Sequence, residues 1–156
     1  MNEGKIIQEG HPTDIYERPN TKFVAEFVGR SNWFNGKIIK KSTDGIFKIK
    51  TTEGFEFNIL ENFTPVLSDS NYEICIRPER ISIEKNELIN KDSHMNILQG
   101  KVADVAHLGP DIHTLIEVSN KRIIKVVEKY AGQILEKNGT DVSLYFSPKD
   151  CIVVSS

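Results

Sequence analysis

Cysteine is scarce: the 156 residues hold only Cys75 and Cys151. They lie far apart and outside any C-x-x-C spacing, so they supply neither a zinc ribbon nor a thioredoxin-type redox pair. Two buried thiols are expected. No run approaches the roughly 20 apolar residues that cross a bilayer as a helix, so membrane association is expected only through a protein partner. The segment Met1-Asn2-Glu3-Gly4-Lys5-Ile6-Ile7-Gln8 lacks the basic region and apolar run of a secretory signal, and export is not expected. Nor is one sign of charge in excess: 20 basic and 22 acidic side chains give a formal net charge of -2, with a pI near 6.1. That balance leaves no electrostatic footprint for a nucleic-acid backbone or an anionic bilayer. A strand-binding β fold would interleave basic residues with exposed aromatics. Lys37, Lys40, Lys41, Lys48 and Lys50 with Phe47 make only a modest patch of that kind, and nucleic acid is not expected as a partner.

Catalytic signatures are also missing. A phosphate loop requires G-x-x-x-x-G-K-[ST], in which backbone amides hold phosphates and the hydroxyl holds Mg²⁺. The Gly-Lys pairs at Gly4, Gly36 and Gly100 are each followed by Ile or Val, and Ser31 and Met95 stand where the first glycine is needed. No G-x-S-x-G elbow occurs. Of four histidines only His107 and His113 are close, flanking Leu108-Gly109-Pro110-Asp111, where a hairpin would bring their rings together. Asp111 is the only near third ligand, so solvated turn histidines are favoured over a metal site.

What is present is a change of texture near Gly29 to Asn32. Before it, apolar residues recur at helical spacing; after it they mostly alternate. Lys5-Ile6-Ile7-Gln8 reads as a short strand, and Pro12 opens a short helix that ends before Pro19. Asn20 is placed to cap a second helix carrying Phe23, Val24, Phe27 and Val28 on one face, with Gly29 just past its end. Thirty residues cannot form their own core, so this apolar face must dock on something. From Trp33 onward, runs rich in Ile, Val, Phe and Tyr are separated by turn clusters such as Thr52-Glu53-Gly54 and Ser119-Asn120-Lys121. Strands are expected at 33–41, 46–52, 55–60, 72–77, 80–85, 97–107, 112–119, 122–127, 142–147 and 151–154, with a helical turn near 128–135.

A pattern N-x-x-[NQ]-G-K-[IV] occurs twice, at Asn32–Ile38 and Asn96–Val102, an offset of 64. Each copy leads through a turn into an alternating strand, which suggests two related β units, 31–90 and 95–156. Each glycine is expected where a strand bends round a small barrel. The loop Ile76-Arg77-Pro78-Glu79-Arg80-Ile81 is dense in opposite charge, and Arg77 and Glu79 are placed to pair. It reads either as a salt-bridged strand corner or as an effector or partner-subunit contact. Candidate effector or interface residues are therefore Arg77, Glu79, Arg80, His107 and His113; no catalytic, cofactor or metal residue is assigned.

Three segments together resemble one family. Gly4-Lys5-Ile6-Ile7-Gln8-Glu9-Gly10, Asp14-Ile15-Tyr16-Glu17-Arg18-Pro19 and Phe23-Val24-Ala25-Glu26-Phe27-Val28-Gly29 look like the end of the nucleotide-binding domain of bacterial ABC importer ATPases. Arg77-Pro78-Glu79 and Leu108-Gly109 are similar to marks of the TOBE domain, the OB-like β extension such ATP-binding subunits carry. The resemblance implies a mainly β, OB-like barrel or sandwich over 31–156, preceded by a remnant of an α/β ATPase domain over 1–30. It implies a regulatory and dimerisation role, with ATP and Mg²⁺ held by the parent subunit and no cofactor in this chain. Its implied partners are a second copy of the subunit and a membrane permease, at the cytoplasmic face of the inner membrane. Ser31-Asn32-Trp33-Phe34 looks most like spermidine/putrescine importers, with iron, sulfate and sugar importers as neighbours; a small-ligand-sensing β barrel is the alternative. The family usually has Thr or Ser where His11 stands, so the first helix is expected to start more weakly, by about 1 kcal/mol.

Overall fold

The computed structural model describes residues 3–42, 44–60, 71–84 and 94–155. The chain is mainly β, with two short helices near its start, α1 (Pro12–Glu17) and α2 (Lys22–Val28). Among the described residues ten strands follow: β1 (Asn32–Lys41), β2 (Ile46–Thr51), β3 (Glu56–Leu60), β4 (Tyr72–Ile76), β5 (Ser82–Glu84), β6 (Asn96–Leu108), β7 (Asp111–Val118), β8 (Ile123–Lys129), β9 (Asp141–Phe146) and β10 (Cys151–Ser155). Every expected strand from β1 onward is present with shifts of a residue or two at its ends, although residue 85 lies outside the described residues.

Two elements differ from expectation. Residues 5–8 form no strand beyond a single bridge at Lys5. Ile6 there is 65% exposed and takes no part in the core. Residues 128–135 form no helical turn: β8 runs on to Lys129, and Gly132 then takes the left-handed region at φ 83°. The cap of α2 is Thr21, whose hydroxyl accepts from Val24 N at 3.3 Å, while Asn20 N donates to Gln8 Oε1 at 2.8 Å. His11 does cap α1, but its Nδ1 accepts from Thr13 N at a long 3.4 Å.

The strands build two compact units. The first holds residues up to Arg77 together with those from Pro148, and its sheet runs β10-β4-β1-β2-β3, all antiparallel. Alternation sends Phe34, Phe47, Ile49, Phe57, Ile59 and Ile74 into its core. Phe34 meets Phe57 edge to face at 5.0 Å, a favoured aromatic geometry. The second unit spans Pro78–Ser147, and its sheet runs β5-β9-β6-β7-β8. Its core includes Val102, Ile112, Ile116, Ile124, Val126 and Leu144.

The two sheets repeat one another position by position. Gly36 faces Tyr72 and Thr51; Gly100 faces Val142 and Val118. The register of β1 on β2 slips between Ile38 and Lys40, and that of β6 on β7 slips between Val102 and Asp104, again an offset of 64. Bulges at matching positions follow the two glycines and bend each strand. The repeat extends past the sequence echo: β4 and β9 each end in a 3₁₀ turn opened by a buried proline, Pro78 or Pro148. The strand after each turn then joins the other sheet. Thus β5, which follows β4, pairs with β9, and β10, which follows β9, pairs with β4.

Candidate functional site

In an antiparallel sheet, residues opposite one another share a face. In the first unit Trp33 lies opposite Cys75 and Asn35 opposite Glu73, so these four, with Arg77 beyond the strand end, share one face. Helix α2 lies over it. Lys22 Nζ donates to Glu73 Oε1 at 2.8 Å and stands 5.2 Å from the centre of the Trp33 ring. The hydrogen bond to Glu73, partly opposed by desolvation, holds the Lys22 ammonium above its ordinary pKa.

Arg77 dominates this contact. It is 1% exposed. Its Nη1 donates to Ala25 O at 2.9 Å, Gly29 O at 3.0 Å and Ser31 Oγ at 2.7 Å. Nη2 reaches Tyr16 O at 3.4 Å, and the guanidinium lies 4.4 Å from the centre of the Tyr16 ring. A planar fork with five donors suits such divided bonding, and Arg is weakly enough hydrated to be buried in it. The bonds satisfy a carbonyl of the last turn of α2 and the one just beyond it. The guanidinium is thus directed at residues 16–31. Gly29 has extended backbone there, φ 176°, so conformation does not demand glycine. Space is the tighter constraint: a Cβ would lie 3.2 Å from Arg77 Nη1 and 3.3 Å from Tyr16 Cε2, so those side chains would have to give by a few tenths of an ångström. Sequence reasoning missed Tyr16 and assigned Gly29 to helix termination; only the fold brings them to Arg77.

Within the helical segment, Ile7, Ile15, Tyr16, Phe23, Phe27 and Val28 line a groove of about 520 Å³. Phe23 and Phe27 stack at 6.3 Å, and Phe27 is 80% exposed.

The other candidates lie in the second unit. Glu79 and Arg80 are exposed on the 3₁₀ turn after Pro78. Glu79 lines a cleft of about 590 Å³ with Ser82, Asp111, Glu128, Lys129 and Gln133. Desolvation holds the Glu128 carboxyl above its ordinary pKa, with Glu136 adding to this against an opposing hydrogen bond from the Ile83 backbone. Asp111 accepts from Lys129 Nζ at 2.6 Å. His107 lies opposite Ile112 and His113 opposite Ala106, so the hairpin turns the two rings to opposite faces. The His107 ring packs on Tyr130 with centroids 4.3 Å apart. Among the described residues no group of three His, Cys, Asp or Glu side chains could hold a metal ion. Phe47 is 1% exposed, which removes the aromatic that a base would need to stack on in the lysine patch of the first unit.

The family described as TOBE domain matches residues 74–154. The spermidine/putrescine import ATP-binding protein PotA of Trichormus variabilis is 31% identical over 156 residues, 99% of this chain and 40% of that protein. PotA of Escherichia coli K12 is 34% identical over 128 residues, 82% of this chain and 32% of that protein. The chain therefore spans less than half the length of these curated relatives. Among solved structures, the cytoplasmic molybdate-binding protein ModG superposes with a TM-score of 0.65, covering 78% of this chain and 94% of that one at 12% identity. At that identity the likeness is one of fold.

Proposed function

Because the chain belongs to the TOBE domain family, we propose that it is the regulatory β extension of an ATP-binding subunit that energises import of a small solute, most closely a polyamine. The observation that carries this reading is a match running nearly end to end along the chain yet covering two-fifths of an import ATP-binding protein. The sequence has no phosphate loop, so ATP and Mg²⁺ belong to the rest of that subunit. On this reading residues 1–30 are the end of the ATPase domain, and the open groove beside Phe23 and Phe27 is where the remainder of that domain packs. An exposed apolar groove of this kind suits packing against a further domain. The subunit works as a homodimer under a membrane permease at the cytoplasmic face. Among the described residues no helix is long and apolar enough to cross a membrane, in keeping with a peripheral position.

The test is made in the longer subunit, with and without residues 31–156. ATP hydrolysis is expected to persist without them, while polyamine uptake and dimer retention through the ATP cycle fall. Uptake, dimerisation and hydrolysis all indifferent to the deletion would end this reading. A second reading is favoured by the fold likeness to ModG: a small-anion sensor. Calorimetry of the chain with molybdate, sulfate, spermidine and putrescine separates the two, since heat from an oxyanion alone supports sensing and no heat from any of them removes it.

A further inference from the structure

The two β units provide an internal control for the contact made by Arg77. By the matching registers, Trp33, Glu73 and Arg77 of the first unit correspond to Ile97, Ser143 and Ser147 of the second. The proline that follows is kept, as Pro78 and Pro148, and so is its 3₁₀ turn. The repeat thus conserves what the β architecture requires. It differs at the three positions that meet the helical segment: Trp33 and Glu73 engage Lys22, and Arg77 engages Ala25, Gly29 and Ser31. The Ile97 side chain, at the position of Trp33, is 52% exposed. A buried arginine is therefore no requirement of the strand end; it belongs to the helices.

We propose that Arg77 is a latch that fixes residues 16–31 on the first β unit, with Lys22 and Glu73 as an outer tie. Several features suit that task. The two hydrogens of Nη1 are shared among three close acceptors, two backbone carbonyls and a hydroxyl, on either side of the helix end. Tyr16 ties α1 to the same group. The absence of a side chain at Gly29 leaves room for the fork. The outer tie is half in solvent, with Lys22 42% exposed, and surface pairs of that kind contribute little. Arg77 is thus the determinant and Lys22 is secondary. The consequence drawn for function, that the latch carries motion between an upstream ATPase and the β region, rests on the function proposed above; the latch itself does not.

The two claims are tested separately. In the 156-residue chain, hydrogen exchange is compared between wild type, Arg77→Ser, the residue found at the equivalent position, and Arg77→Lys. Arg77→Ser is expected to accelerate exchange of amides 22–31 at least about tenfold, leaving β2 and β3 as protected as before. Arg77→Lys should fall between, because an ammonium cannot fork among the same acceptors. Gly29→Ala, which crowds the guanidinium without removing a charge, should reproduce the selective release if Arg77→Ser does not fold. Exchange that is unchanged, or faster everywhere alike, overturns the latch. In the longer subunit, Arg77→Ser should leave hydrolysis running but lower uptake, as deletion of residues 31–156 does. Selective release combined with undiminished uptake overturns the coupling role. If wild-type uptake and dimer retention do not depend on residues 31–156 at all, it is the proposed function that fails and not the latch.

Discussion

Gly36 and Gly100 stand where two backbones approach more closely than any other residue permits. A Cβ at Gly36 would lie 2.7 Å from both Ile49 Cγ2 and Lys50 O; one at Gly100 would lie 2.6 Å from Ile116 Cγ2 and 2.8 Å from Glu117 O. Because one of the clashing atoms in each case is backbone, a side-chain rotation cannot relieve it. Gly36→Ala and Gly100→Ala are each expected to cost about 1–3 kcal/mol, read as a lower urea midpoint at unchanged slope. Glu128 makes a prediction of opposite sign. Its carboxyl is held above the ordinary 4.5 by desolvation, so the folded state binds more protons than the unfolded one. The contribution of this group to stability is then full below 4.5 and declines as pH rises through the folded value. Glu128→Gln should remove that decline above pH 4.5, measured as urea midpoints. Equal pH slopes for variant and wild type would sink the assignment. Of these residues the glycines were legible in the sequence, since a repeated Gly-Lys inside a strand pattern points to a bend. Arg77 was legible as a singular residue but not in its role: its acceptors lie about fifty residues away along the chain, and no local pattern records that distance.

At the scale of elements, the turn between β7 and β8 carries avoidable strain. Asn120 and Lys121 both take positive φ, 60° and 57°, and Arg122 N donates back to Ser119 O at 3.3 Å. Asparagine tolerates that region; lysine does so at a cost of roughly 1–2 kcal/mol. Asn-Gly is the preferred pair for two successive left-handed residues in a hairpin. Lys121→Gly is therefore expected to stabilise by up to about 1 kcal/mol, less whatever the added freedom of the unfolded chain takes back. A higher thermal midpoint checks it, and a lower one contradicts it. The strands were legible because alternation is a local signal. The failures share a cause, which is dependence on neighbours the local pattern does not contain. Lys5-Ile6-Ile7-Gln8 has strand-like residues but gains only one bridge. The stretch after β8 reads as helical, yet Tyr130 N donates to Pro110 O, and Gln133 binds Ala131 N and Lys129 O, fixing an irregular path. The short helices were legible from Pro12 and the spacing of Phe23, Val24, Phe27 and Val28, although the capping of α2 passed from Asn20 to its neighbour.

For the molecule as a whole, a sequence repeat of two β units becomes a structure in which neither repeat completes its own sheet. The chain leaves the first unit after Arg77 and re-enters it at Pro148. The register shows that this is an exchange of equivalent strands: Ser82 lies opposite Tyr145, and Ile152 lies opposite Cys75, so corresponding residues pair across the two repeats. The sequence contains the repeat but not the exchange, because β5 and β10 carry no feature that assigns them to one sheet over the other. The same register turns Cys75 and Cys151 to opposite faces of adjacent strands, each buried. Burial holds the Cys151 thiol well above its ordinary pKa, leaving it unreactive. A deletion distinguishes exchange from pairing in chain order. A chain ending at Ser147 lacks β10 and leaves β4 with an unpaired edge, while the β5-β9-β6-β7-β8 sheet keeps every strand. Unpaired edges lose ladder bonds and invite association. Hydrogen exchange should therefore show β4 and β1 losing protection, with β6 and β7 retaining theirs. Were each repeat to close its own sheet, the loss would fall instead on β9 and β6, and β4 would stay protected by β5.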